Sequence, residues 1–149
     1  MRLHTTSEVI SLARKFESES ANFYRDLSRR YSKDEDVFTS FARENEGNIV
    51  QIERAYYGVI TDAIEGGFAF DMESEDFTFE AALAKDASYS NALDKVISIE
   101  NNIIKFYLDA ARQSDALMAD IPGAFRRVAR KRENRRTVLK QLLDKEASK

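Results

Sequence analysis

Apolar residues recur every three to four positions over four long stretches of the chain, the spacing of α-helices that each bury one face. The first stretch covers residues 7–31, with Val9, Ile10, Ala13, Phe16, Ser20, Phe23, Tyr24 and Leu27 on one stripe. Thr5, followed three residues later by Glu8, predicts a capping box at its start. The second opens on Ser32-Lys33-Asp34-Glu35, another capping-box pattern with acids in the first turn. Its stripe runs through Phe38, Phe41, Ala42, Ile49, Ile52, Ala55, Tyr56, Val59 and Ile60 and predicts a stop at Gly66 and Gly67. The third, over residues 90–111, carries Leu93, Val96, Ile97, Ile103, Ile104, Tyr107 and Ala110. The fourth starts at Asp120-Ile121-Pro122-Gly123, with proline in the first turn, and carries Phe125, Val128, Ala129, Leu139, Leu142 and Leu143. At 1.5 Å per residue, each helix is roughly 30–45 Å long.

The spacing between stretches predicts the connectivity. Helices one and two nearly touch at Tyr31-Ser32, and helices three and four are joined by a short loop over 114–120, so each pair reads as an antiparallel hairpin. Between the hairpins lies a long crossover, residues 66–89, holding Phe68, Phe70, Phe77 and Phe79 and a predicted short helix over 79–85. So many aromatic side chains in a connection imply that it packs against the helices. The expectation is one all-α domain, 1–149: an antiparallel four-helix bundle of two hairpins joined by one crossover, the connectivity of ferritin-like folds.

Composition narrows the chemistry. With 149 residues, of which 43% are hydrophobic, the chain can bury a core without a staple. It has no cysteine, which removes disulfides, cysteine-ligated metals and a cysteine nucleophile. Its one histidine, His4, stands outside every periodic segment, so neither a serine triad nor a multi-histidine metal site has its parts. No apolar run approaches the ~18 residues of a membrane span, and the N-terminal residues lack the apolar stretch of a signal peptide; a cytoplasmic location is expected.

Charge is mild overall, −3, and argues against nucleic acid as a partner. Its distribution is uneven: residues 126–140 contain eight Lys and Arg against the single acid Glu133, whereas residues 72–80 are acidic. The basic run from Arg126 to Lys140 reads as a solvated helix face or as a contact for an anionic partner.

The two hairpins repeat one another. Glu17 stands six residues before Phe23-Tyr24, and Glu100 stands six residues before Phe106-Tyr107. Further on, Phe41-Ala42-Arg43 corresponds to Val128-Ala129-Arg130, and Glu46 falls opposite Glu133. A duplicated helix pair implies pseudo-two-fold symmetry with a site on the axis.

On these elements the chain resembles the ferritin-like superfamily, closest to its rubrerythrin-type members, over about residues 9–143. The resemblance implies two metal ions in the core, held by one Glu from each of helices one and three and a Glu-x-x-His motif from each of helices two and four. Carried over, the lone glutamates are Glu17 and Glu100. The two Glu-x-x-His motifs fall on Asn45 and Asn48 and on Arg132 and Arg135, so neither motif is present. A C-terminal cysteine-ligated iron domain, frequent in that family, is also absent from this sequence.

Three readings of the altered site follow. In the first, Glu17 and Glu100 are neutralised by Arg132 and Arg135, with Asn45 and Asn48 satisfying the remaining polar atoms; no cofactor is then expected, and the role is non-catalytic, structural or interaction-based. In the second, the protein is an iron-binding rubrerythrin-type oxidoreductase or iron-handling protein, taking iron or manganese on a shifted carboxylate set. Glu46 and Glu133 are its candidate rescue ligands, each about 100° round its helix from the lost position. In the third, Arg132 and Arg135 bind a small anion. Tyr24 and Tyr107 read as core tyrosines with satisfied hydroxyls. Self-assembly, with a dimer as the favoured form, is the expected quaternary state because bundles of this family commonly assemble and the aromatic crossover offers a surface.

Overall fold

The computed structural model describes residues 1–61, 69–115 and 120–149. Four long helices dominate it: α1 (Thr6–Arg30), α2 (Glu35–Thr61), α3 (Tyr89–Gln113) and α4 (Asp120–Ala147). Each begins or ends where the local chemistry requires. Thr5 accepts a hydrogen bond from the Glu8 N–H while Glu8 reaches back to the Thr5 N–H, so the first capping box forms. The Ser88 hydroxyl caps α3 by accepting from the Asn91 N–H.

Two local expectations fail for identifiable reasons. The pattern at Ser32 makes a short 3₁₀ turn, Ser32–Asp34, in place of a capping box, because the Glu35 N–H bonds the Ser32 backbone carbonyl. The crossover segment 79–85 forms no helix. At its end Arg30 donates to the carbonyls of Ala84 and Lys85, and just beyond it Tyr31 donates to that of Ala87, so side chains at the end of α1 hold this stretch. The glycine stop at Gly66 and Gly67, and residues 116–119 of the loop between α3 and α4, lie outside the described residues.

Cross-helix contacts fix the arrangement. Arg14 meets Glu53 at 2.9 Å and Arg25 meets Glu46 at 2.8 Å, so α1 and α2 run antiparallel. Tyr24 reaches Glu100 and Tyr107 reaches Glu17, so α1 and α3 do as well. Lys131 near Gln51 and Arg135 on Glu44 set α4 antiparallel to α2. The pairs α1/α3 and α2/α4 therefore lie on opposite sides.

The crossover covers the α1/α3 side. Its strand β2 (Met72–Glu73) pairs antiparallel with β1 (Arg2–Leu3), and the N-terminal ammonium bonds Glu73 at 2.7 Å. Phe77 then packs edge-on against Phe106 of α3, and Phe79 packs on Phe16 of α1. Every residue of the α1 stripe from Val9 to Leu27 is buried, as are Leu93, Val96, Ile103, Ile104, Tyr107 and Ala110 of α3. Among the described residues, no helix is long and apolar enough to cross a membrane.

Candidate functional site

Midway along the helices the apolar core is interrupted by charge. Glu17, Glu100, Arg132 and Arg135 are all buried, together with Ser20, Asn45 and Asn48. Burying isolated ions is prohibitive, so each must be paired and hydrogen-bonded. All but Ser20 are positions that the repeat and the resemblance single out. Two residues from each of α1, α2 and α4 and one from α3 meet at one place.

Arg132 is the hub. Its guanidinium has five N–H donors, and all find acceptors. Nη1 lies 2.8 Å from both carboxylate oxygens of Glu100. Nε and Nη2 reach Glu17 Oε2 at 3.1 and 2.5 Å, and Nη2 also donates to the Ser20 hydroxyl at 2.9 Å. One side chain from α4 thus joins α1 and α3.

The tyrosines cross between hairpins. Tyr24 of the first donates to Glu100 of the second at 2.6 Å, and Tyr107 of the second donates to Glu17 of the first at 2.9 Å. This exchange is the pseudo-two-fold relation implied by the repeat. Symmetry stops at helices two and four. Asn45 donates to Ser20 at 2.8 Å and to the Glu17 backbone carbonyl, while Asn48 donates to Glu17 Oε1 at 2.8 Å. The corresponding positions on α4 are the two arginines, so all the buried positive charge comes from one helix.

Arg135 carries the network towards the surface. Its Nη1 donates to Asn45 Oδ1 at 2.7 Å and to Glu100 at 3.2 Å, and its Nη2 donates to Glu44 at 2.6 Å. Its guanidinium carbon sits 5.2 Å from the Tyr24 ring centre and 5.0 Å from that of Phe41, positions suited to cation–π attraction. Two atoms of the network have no partner among the described residues, Asn48 Oδ1 and Arg135 Nε.

Electrostatically the set is balanced: two buried carboxylates against two buried guanidiniums. Burial by itself would raise the Glu100 carboxyl, but the nearby charges of Arg132 and Arg135 outweigh it and hold the group below its usual range. Burial likewise opposes the charge on Arg132, yet Glu100 and Glu17 raise its affinity for its proton well above normal. Tyr24 and Tyr107 are pushed well above the ordinary phenol value, first by burial and then by the facing carboxylates Glu100 and Glu17. The arrangement is a charge-balanced cluster in which every N–H of Arg132 is used.

The other candidate residues sit elsewhere. Glu46 points outward, its side chain 66% exposed, and pairs with Arg25. Glu133 is half-buried, and its backbone carbonyl accepts from Thr137. Among the described residues, no three His, Cys, Asp or Glu side chains come together as a metal site would need. The basic run from Arg126 to Lys140 is not one face: Arg132 and Arg135 turn inward, Arg126 pairs with Asp115, and Arg127, Arg130, Lys131 and Lys140 face out. The idea that Arg132 and Arg135 receive a small anion meets a plain obstacle, since Glu17, Glu100 and Glu44 already pair with Arg132 and with both terminal nitrogens of Arg135.

Sequence reasoning missed two members. Ser20 had a signal: it is a hydroxyl on an otherwise apolar stripe, one turn after Glu17. Glu44 had a weaker one, since it flanks the inward Asn45, and only a long partner such as Arg135 brings it into the network.

No protein-family model, no curated protein and no solved structure matches this chain.

Proposed function

We propose that this chain is a ferritin-like four-helix bundle of the rubrerythrin type whose dimetal centre has been replaced by an internal salt bridge. In this reading it works without catalysis, as a structural or interaction protein. The observation that carries the reading is the saturation of Arg132. A metal ion entering between Glu17 and Glu100 would have to displace a guanidinium bonded to both carboxylates, against the repulsion of two fixed positive charges. The reciprocal Tyr24–Glu100 and Tyr107–Glu17 bonds support descent from a duplicated hairpin with a symmetric site.

Replacing a buried ion cluster by apolar side chains is often neutral or stabilising, so the network is not explained by stability alone. Its role in this proposal is to set the register between hairpins. The deciding experiment is metal analysis of protein produced in iron- or manganese-supplemented medium and purified without chelators. The proposal expects well under one ion per chain. About two ions per chain, the stoichiometry of a dimetal site, lost in Glu17→Gln or Glu100→Gln, would overturn it.

A further inference from the structure

Most arginines in this chain are paired with carboxylates. Arg2, Arg14, Arg25, Arg30, Arg112 and Arg126 are paired at the surface, and Arg132 and Arg135 in the core. The furrow between α2 and α4, on the side away from the crossover, breaks that pattern. Arg54 of α2 and Arg127 and Lys131 of α4 line one groove of about 570 Å³. All three are exposed, and none makes an ion pair among the described residues. Lys131 has only a 3.4 Å contact to Gln51, and one acid, Asp120, shares the lining. Arg29, Arg43, Arg130 and Arg136 also make no ion pair among the described residues, but they do not line this groove.

The geometry leaves room for a ligand. Gly47 forms part of the wall on α2, and a Cβ added there would meet nothing within 4 Å. Arg127 and Lys131 are one helical turn apart and so share a face, with Arg54 opposite them across the furrow. Three like charges held around a concavity repel each other and concentrate positive potential there, although the chain as a whole is at −3. Guanidinium groups match phosphate oxygens in a two-pronged geometry.

We infer that the α2/α4 groove is a binding site for a small multivalent oxyanion of the di- or triphosphate class. A groove of about 570 Å³ lined by three cations suits a ligand with more negative charge and more oxygens than one phosphate-sized ion carries. Arg54, Arg127, Lys131, Gln51 and Asp120 in the lining favour such a ligand over an apolar one. The site is separate from the buried network, and Arg54, Arg127 and Lys131 are exposed, so their substitution leaves the core intact.

The test is calorimetric titration of the full chain with sodium pyrophosphate and tripolyphosphate at matched ionic strength, with sulfate as the control anion. The expected result is one site per chain that prefers the linked phosphates. Arg127→Ala and Lys131→Ala should each weaken binding about tenfold, the loss of one charge-assisted contact. Arg130→Ala, on the same helix but outside the groove, should change it by no more than about twofold. Linked phosphates binding no tighter than sulfate, or Arg130→Ala weakening binding as much as Arg127→Ala, would overturn the assignment.

Discussion

Arg132 meets Glu100 through a single nitrogen, Nη1, which stands 2.8 Å from each carboxylate oxygen. That end-on contact leaves Nε and Nη2 free to turn the opposite way, towards Glu17. The chosen geometry spreads one positive charge over two carboxylates from different hairpins, and the consequences can be measured.

Removing the hub takes from Glu17 its one cation among the described residues and leaves Glu100 with Arg135 alone, at 3.2 Å. Arg132→Leu should lower the unfolding free energy by about 3–5 kcal/mol in urea denaturation, the cost of leaving a buried charge uncompensated. Adding Glu17→Gln and Glu100→Gln should restore much of that loss. Equal stability of the single and combined variants would show that the loss comes from packing and not from charge.

The repeat makes a sharper claim. Asn45 and Arg132 occupy equivalent positions in the two hairpins, so the guanidinium should be transplantable across the pseudo-axis. Asn45→Arg in an Arg132→Asn background should be more stable than Arg132→Asn alone, as read from denaturation midpoints. No recovery would mean that the two positions are not interchangeable in their reach to Glu17 and Glu100.

The hydroxyls that cross between hairpins should cost similar amounts to remove. Tyr24→Phe and Tyr107→Phe each delete a bond to an ionised carboxylate, worth about 1.5–3 kcal/mol. If the hairpins are equivalent, the two losses should agree to within about a factor of two. A large difference would locate the asymmetry in α2 and α4, where amides face guanidiniums.

The signs of the proton equilibria define a stability plateau. Glu100 is held below its ordinary value of 4.5, so its contribution is present above that pH and is lost as acid titrates the folded group. Tyr24 and Tyr107 are raised above 10.0, so theirs is complete below that pH and fades as alkali rises through the folded values. Thermal midpoints should therefore fall on both sides of a broad neutral range. In Tyr24→Phe, the alkaline decline should be shallower, and an unchanged decline would exclude this tyrosine as a cause.

The helices and the inward positions were legible for different reasons. Helix faces follow from a 3.6-residue period repeated many times, so single exceptions do not hide them. Glu17 and Glu100 were legible because the Glu-x5-Phe-Tyr pattern occurs twice, whereas Asn45, Asn48, Arg132 and Arg135 are the positions onto which the resemblance projects its Glu-x-x-His motifs. The Ser32 turn and the 79–85 segment were not, because both depend on competition for backbone groups. Ser32 could offer a hydroxyl or a carbonyl to Glu35, and the carbonyl prevailed. Residues 79–85 could have bonded within a helix, but Arg30 and Tyr31 sit within reach of the carbonyls around them. Such outcomes are decided by neighbours distant in sequence, about which local pattern is silent.

Arg132 also bears on how the molecule comes apart. Its three acceptors lie on two helices outside its own, so the second hairpin cannot peel from the first while α4 stays folded without exposing or stranding a charge. The partial opening that would otherwise be cheapest, one helical hairpin loosening from the other, is thereby made costly. Amide hydrogens deep in α1 and in α3 should exchange at a common rate set by whole-chain unfolding, so that two halves built from one repeated unit behave as a single cooperative body.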